Sequence, residues 1–175
     1  ELNPDIMITA AYGQILSKEI LDIAPHGVIN VHASVLPKLR GSAPVQWAVI
    51  NGDKETGVTI MQTDVGVDSG DILAVKRTPI GEGETSGELL IRLSTLGAEL
   101  LLNTLDDIER GVVDPIRQDE DEATKCRMLV KSDGHLDFCE TKEKIVCRCL
   151  GVTPAPGAYV VMNGETVKIG RVRAV

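Results

Sequence analysis

The feature that most constrains the fold is a strand, helix and strand pattern near the start of the chain. "DIMITAAY" (residues 5–12) is an apolar run typical of a buried strand, and "GVINVH" (residues 27–32) is a second one. Between them, "SKEILDI" (residues 17–23) predicts a short helix. Two strands connected in this way pair in parallel. The sequence therefore predicts an α/β fold with a mostly parallel, doubly wound sheet.

Further elements follow this unit along the chain. "SAPVQWAVINGD" (residues 42–53) predicts a helix, and two strands are predicted at residues 57–63 and 71–78. The clearest helix covers residues 85–110, because it begins with a capping-box spacing and carries one apolar stripe that predicts core packing. The stripe consists of Leu89, Leu93, Leu96, Leu100, Thr104 and Ile108.

The C-terminal third differs from the rest of the chain. "RQDEDEATK" (residues 117–125) is charged and predicts a surface connector, whereas residues 157–175 alternate around Asn163–Gly164 and predict a hairpin. We therefore divide the chain into a catalytic-domain part (residues 1–118), a linker (119–140) and the start of a β-rich domain (141–175). Because an apolar edge strand invites aggregation, we expect further strands before residue 1 and more β structure after residue 175.

Composition and charge limit the partners. No apolar run approaches the roughly 20 residues of a membrane-spanning helix, so no membrane contact is expected. The formal net charge is −8 and only 2% of residues are aromatic, which argues against broad nucleic-acid binding by stacking. The basic residues Lys168, Arg171 and Arg173 leave room for a limited RNA contact or a solvated strand face. The four cysteines lack paired zinc-ligand spacing, so we expect reduced thiols and no metal.

Polar side chains stand at the end of the second predicted strand. Asn30 and His32 are two residues apart, so they share one face of that strand. The loop "TDVGVDSGD" (residues 63–71) joins two later strands, and we expect it to return to the same sheet edge and bring Asp68 to this pair. The alternatives are a structural histidine and, for the loop, a calcium site or a plain turn.

These residue types suit acyl transfer. Asn and His donors can hold a developing oxyanion, and a carboxylate can orient the His and manage a proton. The sequence has no G-x-S-x-G motif and no cysteine near these residues, which favours direct transfer between two substrates without an acyl-enzyme.

Residues 29–73, "INVHASVLPKLRGSAPVQWAVINGDKETGVTIMQTDVGVDSGDIL", resemble the formyltransferase family that uses 10-formyltetrahydrofolate. The likeness continues in "AYGQIL" and "TPAPGAYVVMNGETVKIGRV". It implies a Rossmann-like catalytic domain, a linker and a small OB-like C-terminal domain. The implied reaction moves a formyl group from 10-formyltetrahydrofolate to the amine of methionine esterified to initiator tRNA, in a cytoplasmic enzyme that we expect to be a monomer.

The resemblance also implies roles for individual residues. Asn30, His32 and Asp68 match the family's catalytic Asn, His and Asp. The residues matching the folate pocket and the loop at the substrate entrance are Ala11, Tyr12, Gly13, Gln14, Ile15, Leu16, Ser34, Leu36, Pro37, Arg40, Gly41, Asp64, Val65, Gly66 and Val67. Three other functions stay open: a 10-formyltetrahydrofolate hydrolase, a formyltransferase for an amino sugar or nucleotide intermediate, and a non-catalytic folate- or RNA-binding module.

Overall fold

The computed structural model describes residues 2–170 and residue 172. Two members of the predicted basic group, Arg171 and Arg173, lie outside the described residues. In chain order the elements are β1 (Met7–Ala10), α1 (Lys18–Leu21), β2 (Val28–His32), β3 (Arg40–Gly41), α2 (Pro44–Asn51), β4 (Glu55–Gln62), β5 (Ile72–Pro79), α3 (Ser86–Glu109), β6 (Lys125–Cys126), a 3-10 helix (Lys131–Gly134), α4 (Lys142–Gly151), β7 (Ala158–Met162) and β8 (Glu165–Ile169).

The central sheet has the order β1-β2-β4-β5. β1 and β2 are parallel, with Ala10 opposite Val31 and α1 between them in sequence, so the predicted strand, helix and strand unit is confirmed. The α/β fold class is confirmed as well. Parallel pairing in the described sheet is limited to β1 and β2, because β4 is antiparallel to β2 and β5 to β4. A loop joins β4 to β5 with no helix between them, which permits antiparallel pairing.

The core of the sheet lies under α3. Leu89 and Leu93 are fully buried and belong to one apolar cluster with Val58 of β4 and Val45 of α2, which confirms the predicted core-facing stripe. The predicted capping box is also present, since the Thr85 hydroxyl accepts a hydrogen bond from the Glu88 amide at 3.2 Å. Burial of this face stabilises the helix mainly through tertiary packing.

The C-terminal part forms a second apolar cluster, made of Leu136, Cys149, Val152, Ala158 and Val160. β7 and β8 pair antiparallel around Asn163, as predicted for the hairpin. α4 was not predicted from the sequence, and it contributes Cys149 to this cluster. Whether residues 119–140 separate two domains stays a prediction. Among the described residues, no helix combines the length and apolarity that crossing a bilayer requires.

Candidate active site

The two polar side chains at the end of β2 lie on one face, as the two-residue spacing predicts. Asn30 Oδ1 accepts a hydrogen bond from the Thr9 hydroxyl at 3.0 Å. Its amide nitrogen has no hydrogen-bond partner in the described part of the chain. His32 is 5% exposed, and its Nε2 lies 3.0 Å from the Leu39 carbonyl oxygen. Because a carbonyl only accepts, Nε2 carries a proton and Nδ1 is the nitrogen turned toward other groups.

Asp68 lies beside His32. Its Oδ2 is 3.6 Å from His32 Nδ1, which is close enough for charge interaction and too long for a good hydrogen bond. The same oxygen accepts a hydrogen bond from the Gly41 amide at 2.8 Å. The structure therefore brings Asn30, His32 and Asp68 to one region, and their catalytic roles stay predictions.

Asp68 reaches this region by a different path from the one expected. Because β4 is antiparallel to β2, its last residue, Gln62, lies opposite Ile29 at the start of β2. The Thr63 amide then donates to the Val28 carbonyl at 2.7 Å. The loop thus starts at the opposite end of β2 and folds back along the strand to Asp68. The expectation that it returns to the shared sheet edge was wrong, because it assumed parallel strands.

The turn after β2 connects His32 with Asp68. The Leu39 carbonyl accepts from His32, and two residues later the Gly41 amide donates to Asp68. Gly41 has a φ of 119°, and a Cβ at this position would clash with the carbonyl oxygen of Cys126. Glycine is therefore required where this turn pairs closely with β6.

The segment predicted as a surface connector forms one wall of the site. Gln118 is 4% exposed, and its amide nitrogen donates to the carbonyls of Asp68 and Gly70 at 2.9 and 2.7 Å. Arg40 donates to Gln118 through Nε and to both carboxylate oxygens of Glu120, each at 2.9 Å. Hydrogen bonds from Arg40 hold the pKa of Glu120 below its ordinary value.

A cysteine also lies close to the site, contrary to the sequence analysis. Cys126 Sγ lies 3.4 Å from the Leu39 carbonyl oxygen that His32 also contacts. Burial raises the pKa of this thiol, and the nearby Asp68 carboxylate adds to the effect. A protonated thiol is a poor nucleophile, so direct transfer without an acyl-enzyme still fits the site.

The residues matched to the folate pocket and the entrance fall into separate places. Residues 11–16 follow β1, whose carboxyl end lies beside that of β2 because the two strands are parallel. Asp64 lines a cavity of about 590 Å³ between the loop after β4 and the connector. Ser34, Leu36 and Pro37 line a second cavity of about 380 Å³, and none of residues 11–16 lines either cavity.

Ser34 and Leu36 also have structural contacts of their own. The Ser34 hydroxyl donates to the Lys38 carbonyl at 2.6 Å, and the Leu36 amide donates to the hydroxyl of buried Thr59 at 3.1 Å. These bonds shape the turn that follows His32.

Four exposed apolar side chains belong to the two loops that are predicted to line the folate pocket. Tyr12 and Ile15 follow β1, and Val65 and Val67 lie in the loop that ends at Asp68; all four are exposed. In the described residues, no group of three or more His, Cys, Asp or Glu side chains could hold a metal ion.

Two family profiles match the chain. One, described as formyl transferase, matches residues 1–105. The chain belongs to the formyl transferase family. A second profile, described as the formyl transferase C-terminal domain, matches residues 128–175. The resemblance inferred from residues 29–73 is thus confirmed at the level of the family.

Curated relatives in the family are similar over almost the whole chain. The methionyl-tRNA formyltransferase of Anaeromyxobacter dehalogenans (strain 2CP-1) is 48% identical over 168 residues, which cover 96% of this chain and 54% of the relative. The methionyl-tRNA formyltransferase of Citrifermentans bemidjiense is 47% identical over 172 residues, covering 98% and 54%. The chain therefore spans about half the length of the curated relatives that it matches.

Solved structures share the fold. HypX from Aquifex aeolicus in complex with tetrahydrofolic acid matches with a TM-score of 0.81 and 20% identity, over 94% of this chain and 28% of that one. A sugar N-formyltransferase from a Shewanella species matches with a TM-score of 0.79 and 24% identity, over 98% and 70%. At these identities the likeness shows the fold alone.

The part of the candidate site that comes from residues 118–126 could not be predicted from the sequence. Gln118 lies in a polar, charged run, which is typical of an exposed segment. Its burial depends on contacts with Arg40 and the Asp68 loop, far away in sequence. The one signal in the sequence is the acidic residue Glu120, two residues later. It can pair with Arg40, which lies in the turn after His32.

Proposed function

We propose that the protein transfers the formyl group of 10-formyltetrahydrofolate to the amine of methionyl initiator tRNA. The observation that carries this proposal is the meeting of Asn30, His32 and Asp68 at the end of β2, in a chain 48% identical to a methionyl-tRNA formyltransferase. We further propose that it acts in the cytoplasm as a monomer. The tetrahydrofolic acid bound by the structurally similar HypX supports a folate cosubstrate.

Asn30 and His32 are proposed to donate hydrogen bonds to the formyl oxygen. When the amine nitrogen attacks the formyl carbon, that oxygen becomes an oxyanion. The free amide nitrogen of Asn30 would donate to it, and His32, in the imidazolium form that carries a proton on each ring nitrogen, would donate through Nδ1 while Nε2 donates to Leu39. Preorganised donors aimed at developing charge are among the strongest catalytic effects.

Asp68 is proposed to transfer the proton that the attacking amine loses. The attacking amine must lose a proton, and N10 of the folate must gain one when its bond to the formyl carbon breaks. The Asp68 carboxylate, held by the Gly41 amide, would accept the amine proton through an ordered water and return it to N10. Proton and charge then balance over the whole transfer.

The residues proposed for the cosubstrate are the two apolar loops beside this site. Tyr12 and Ile15 would form one wall of the pterin pocket, and Val65 and Val67 the other. Exposed Lys168 on β8 is the described residue that we assign to a tRNA phosphate contact.

A test uses the whole protein with 10-formyltetrahydrofolate and three acceptors in parallel: methionyl initiator tRNA, water alone, and an amino-sugar nucleotide. We expect formyl-methionyl-tRNA as the main product, with slow release of free formate. Rapid formate release without tRNA would favour the hydrolase, and formylation of the sugar amine alone would favour the sugar enzyme. Folate binding without any product would leave a binding module.

A further inference from the structure

Gln118 uses its side-chain amide fully in a buried position. The carbonyl oxygen accepts from Arg40 Nε at 2.9 Å. The amide nitrogen donates its two hydrogens to the carbonyls of Asp68 and Gly70. Of the polar side chains of similar size, only glutamine offers one acceptor and two donors in this arrangement.

The Asp68 backbone has an unusual conformation that needs support. Its φ is 50°, in the left-handed region, which is uncommon outside glycine although aspartate adopts it more often than most residues. Two residues later, Gly70 packs so closely on β4 that a Cβ would clash with the Gln62 carbonyl. The donors from Gln118 thus act at the point where the loop turns back toward the sheet.

Asp68, Gln118, Arg40 and Gly41 form a closed circuit. The Asp68 carbonyl contacts Gln118, Gln118 contacts Arg40, and the next residue after Arg40 donates its amide to the Asp68 carboxylate at 2.8 Å. Glu120 closes the outer side by accepting two hydrogen bonds from Arg40. The Asp68 carboxylate is therefore held by the Gly41 amide, and its carbonyl is held by Gln118, which in turn is held by buried Arg40.

We infer that Gln118 is a positioning residue that holds the backbone of the Asp68 loop and thereby sets the Asp68 carboxylate against His32. The catalytic part of this inference rests on the proposed formyl transfer. The structural part does not, because the contacts among Gln118, Asp68 and Gly41 are independent of the reaction.

The test compares two variants of the whole protein with a matched control. Gln118→Glu keeps the acceptor for Arg40 and replaces the donor nitrogen with an oxygen that faces two carbonyls. Gln118→Met removes both functions without a charge, in case the first variant does not fold. Asp121→Asn is the control, since Asp121 lies in the same segment and is exposed.

Two kinds of readout separate the inference from the proposed function. Hydrogen exchange of the Gly41 amide reports its bond to Asp68. The amides of Arg40 and Ser42 serve as references, because they bond to Thr124 and Cys126. The second readout is kcat and KM for formyl transfer, alone and in an Asp68→Asn background.

We expect faster exchange at Gly41 alone and a kcat lower by roughly 10- to 100-fold, since a displacement of about 1 Å can cost about 100-fold. KM should change little, and the loss should disappear in the Asp68→Asn background. Unchanged Gly41 exchange, or faster exchange with normal kcat, would overturn the inference. If the wild type transfers no formyl group, the proposed function fails, and Gly41 exchange alone decides whether Gln118 positions Asp68.

Discussion

Two loops that flank the same site are held very differently. The loop ending at Asp68 is fixed by the Gly41 amide at one end of that residue and by Gln118 at the other. Residues 11–16 contrast with it: within the described chain none of their side chains makes a hydrogen bond, and Ile15 is 80% exposed. One loop is thus held by buried polar contacts, and the other is open.

The difference suits the two tasks that we propose. Groups that act on developing charge must be held in place before the reaction, so that no reorganisation is needed. A pocket wall that receives a flat ring needs apolar area and can adjust on binding. We therefore expect substitutions on the fixed side to lower kcat, and substitutions on the open side to change KM.

The largest effects are expected at the proposed catalytic residues, of which Asn30 is one. Asn30→Ala removes the free amide donor and should lower kcat by roughly 10²–10³-fold, the cost of losing one oxyanion donor. KM for the folate should change much less. Steady-state kinetics and a thermal unfolding curve check this, and an unfolded variant or a change confined to KM would count against the role.

Next, a pair of glycine substitutions compares how much the turn that holds Asp68 and the open loop of residues 11–16 each contribute to the free energy of unfolding. Gly41→Ala should cost more than about 1–3 kcal/mol, because backbone strain adds to the clash with Cys126. Gly13→Ala, in the open loop, should cost about 1 kcal/mol, because its φ is 72° and no atom lies near the new methyl group. Urea unfolding measures both free energies. Equal losses would show that the Gly41 turn is no tighter than the open loop.

A smaller effect is expected for Ile15→Ala. Ile15 is exposed, so the free energy of unfolding should stay unchanged, whereas the lost apolar contact should raise KM for the folate by roughly 10-fold. The kcat should be retained. A fall in kcat with normal KM would place this loop with the catalytic groups.

The smallest effect concerns pH. Because Arg40 holds the pKa of Glu120 below the ordinary value of about 4.3, the charged carboxylate stabilises the folded state above that pH. This contribution is lost as the pH falls through the lowered pKa. Glu120→Gln should therefore be slightly less stable than wild type at pH 7, and the difference should shrink in acid. It should be small, since Glu120 is 66% exposed. A stability difference between wild type and Glu120→Gln that grows as the pH falls would contradict the expected direction of the pH dependence.

The sequence predicts the elements that depend on local patterns. α3 follows from its capping box and stripe, and Asn30 and His32 share a face because strands have a two-residue period. The path of the Asp68 loop does not follow, since it depends on the antiparallel pairing of β4 with β2. The role of Gln118 could not be predicted from the sequence either, because its burial arises from tertiary contacts. α4 was not predicted although Thr141 caps it, since the strong hairpin pattern that follows predicts β structure.

The central claim is that His32 and Asp68 work as one unit in formyl transfer, and a double-mutant cycle in kcat tests it most directly. We expect His32→Ala and Asp68→Asn each to lower kcat by roughly 10²–10³-fold, and the double variant to be little worse than either single one. Near-normal turnover of Asp68→Asn between about pH 6 and 9, or losses that multiply in the double variant, would contradict the claim.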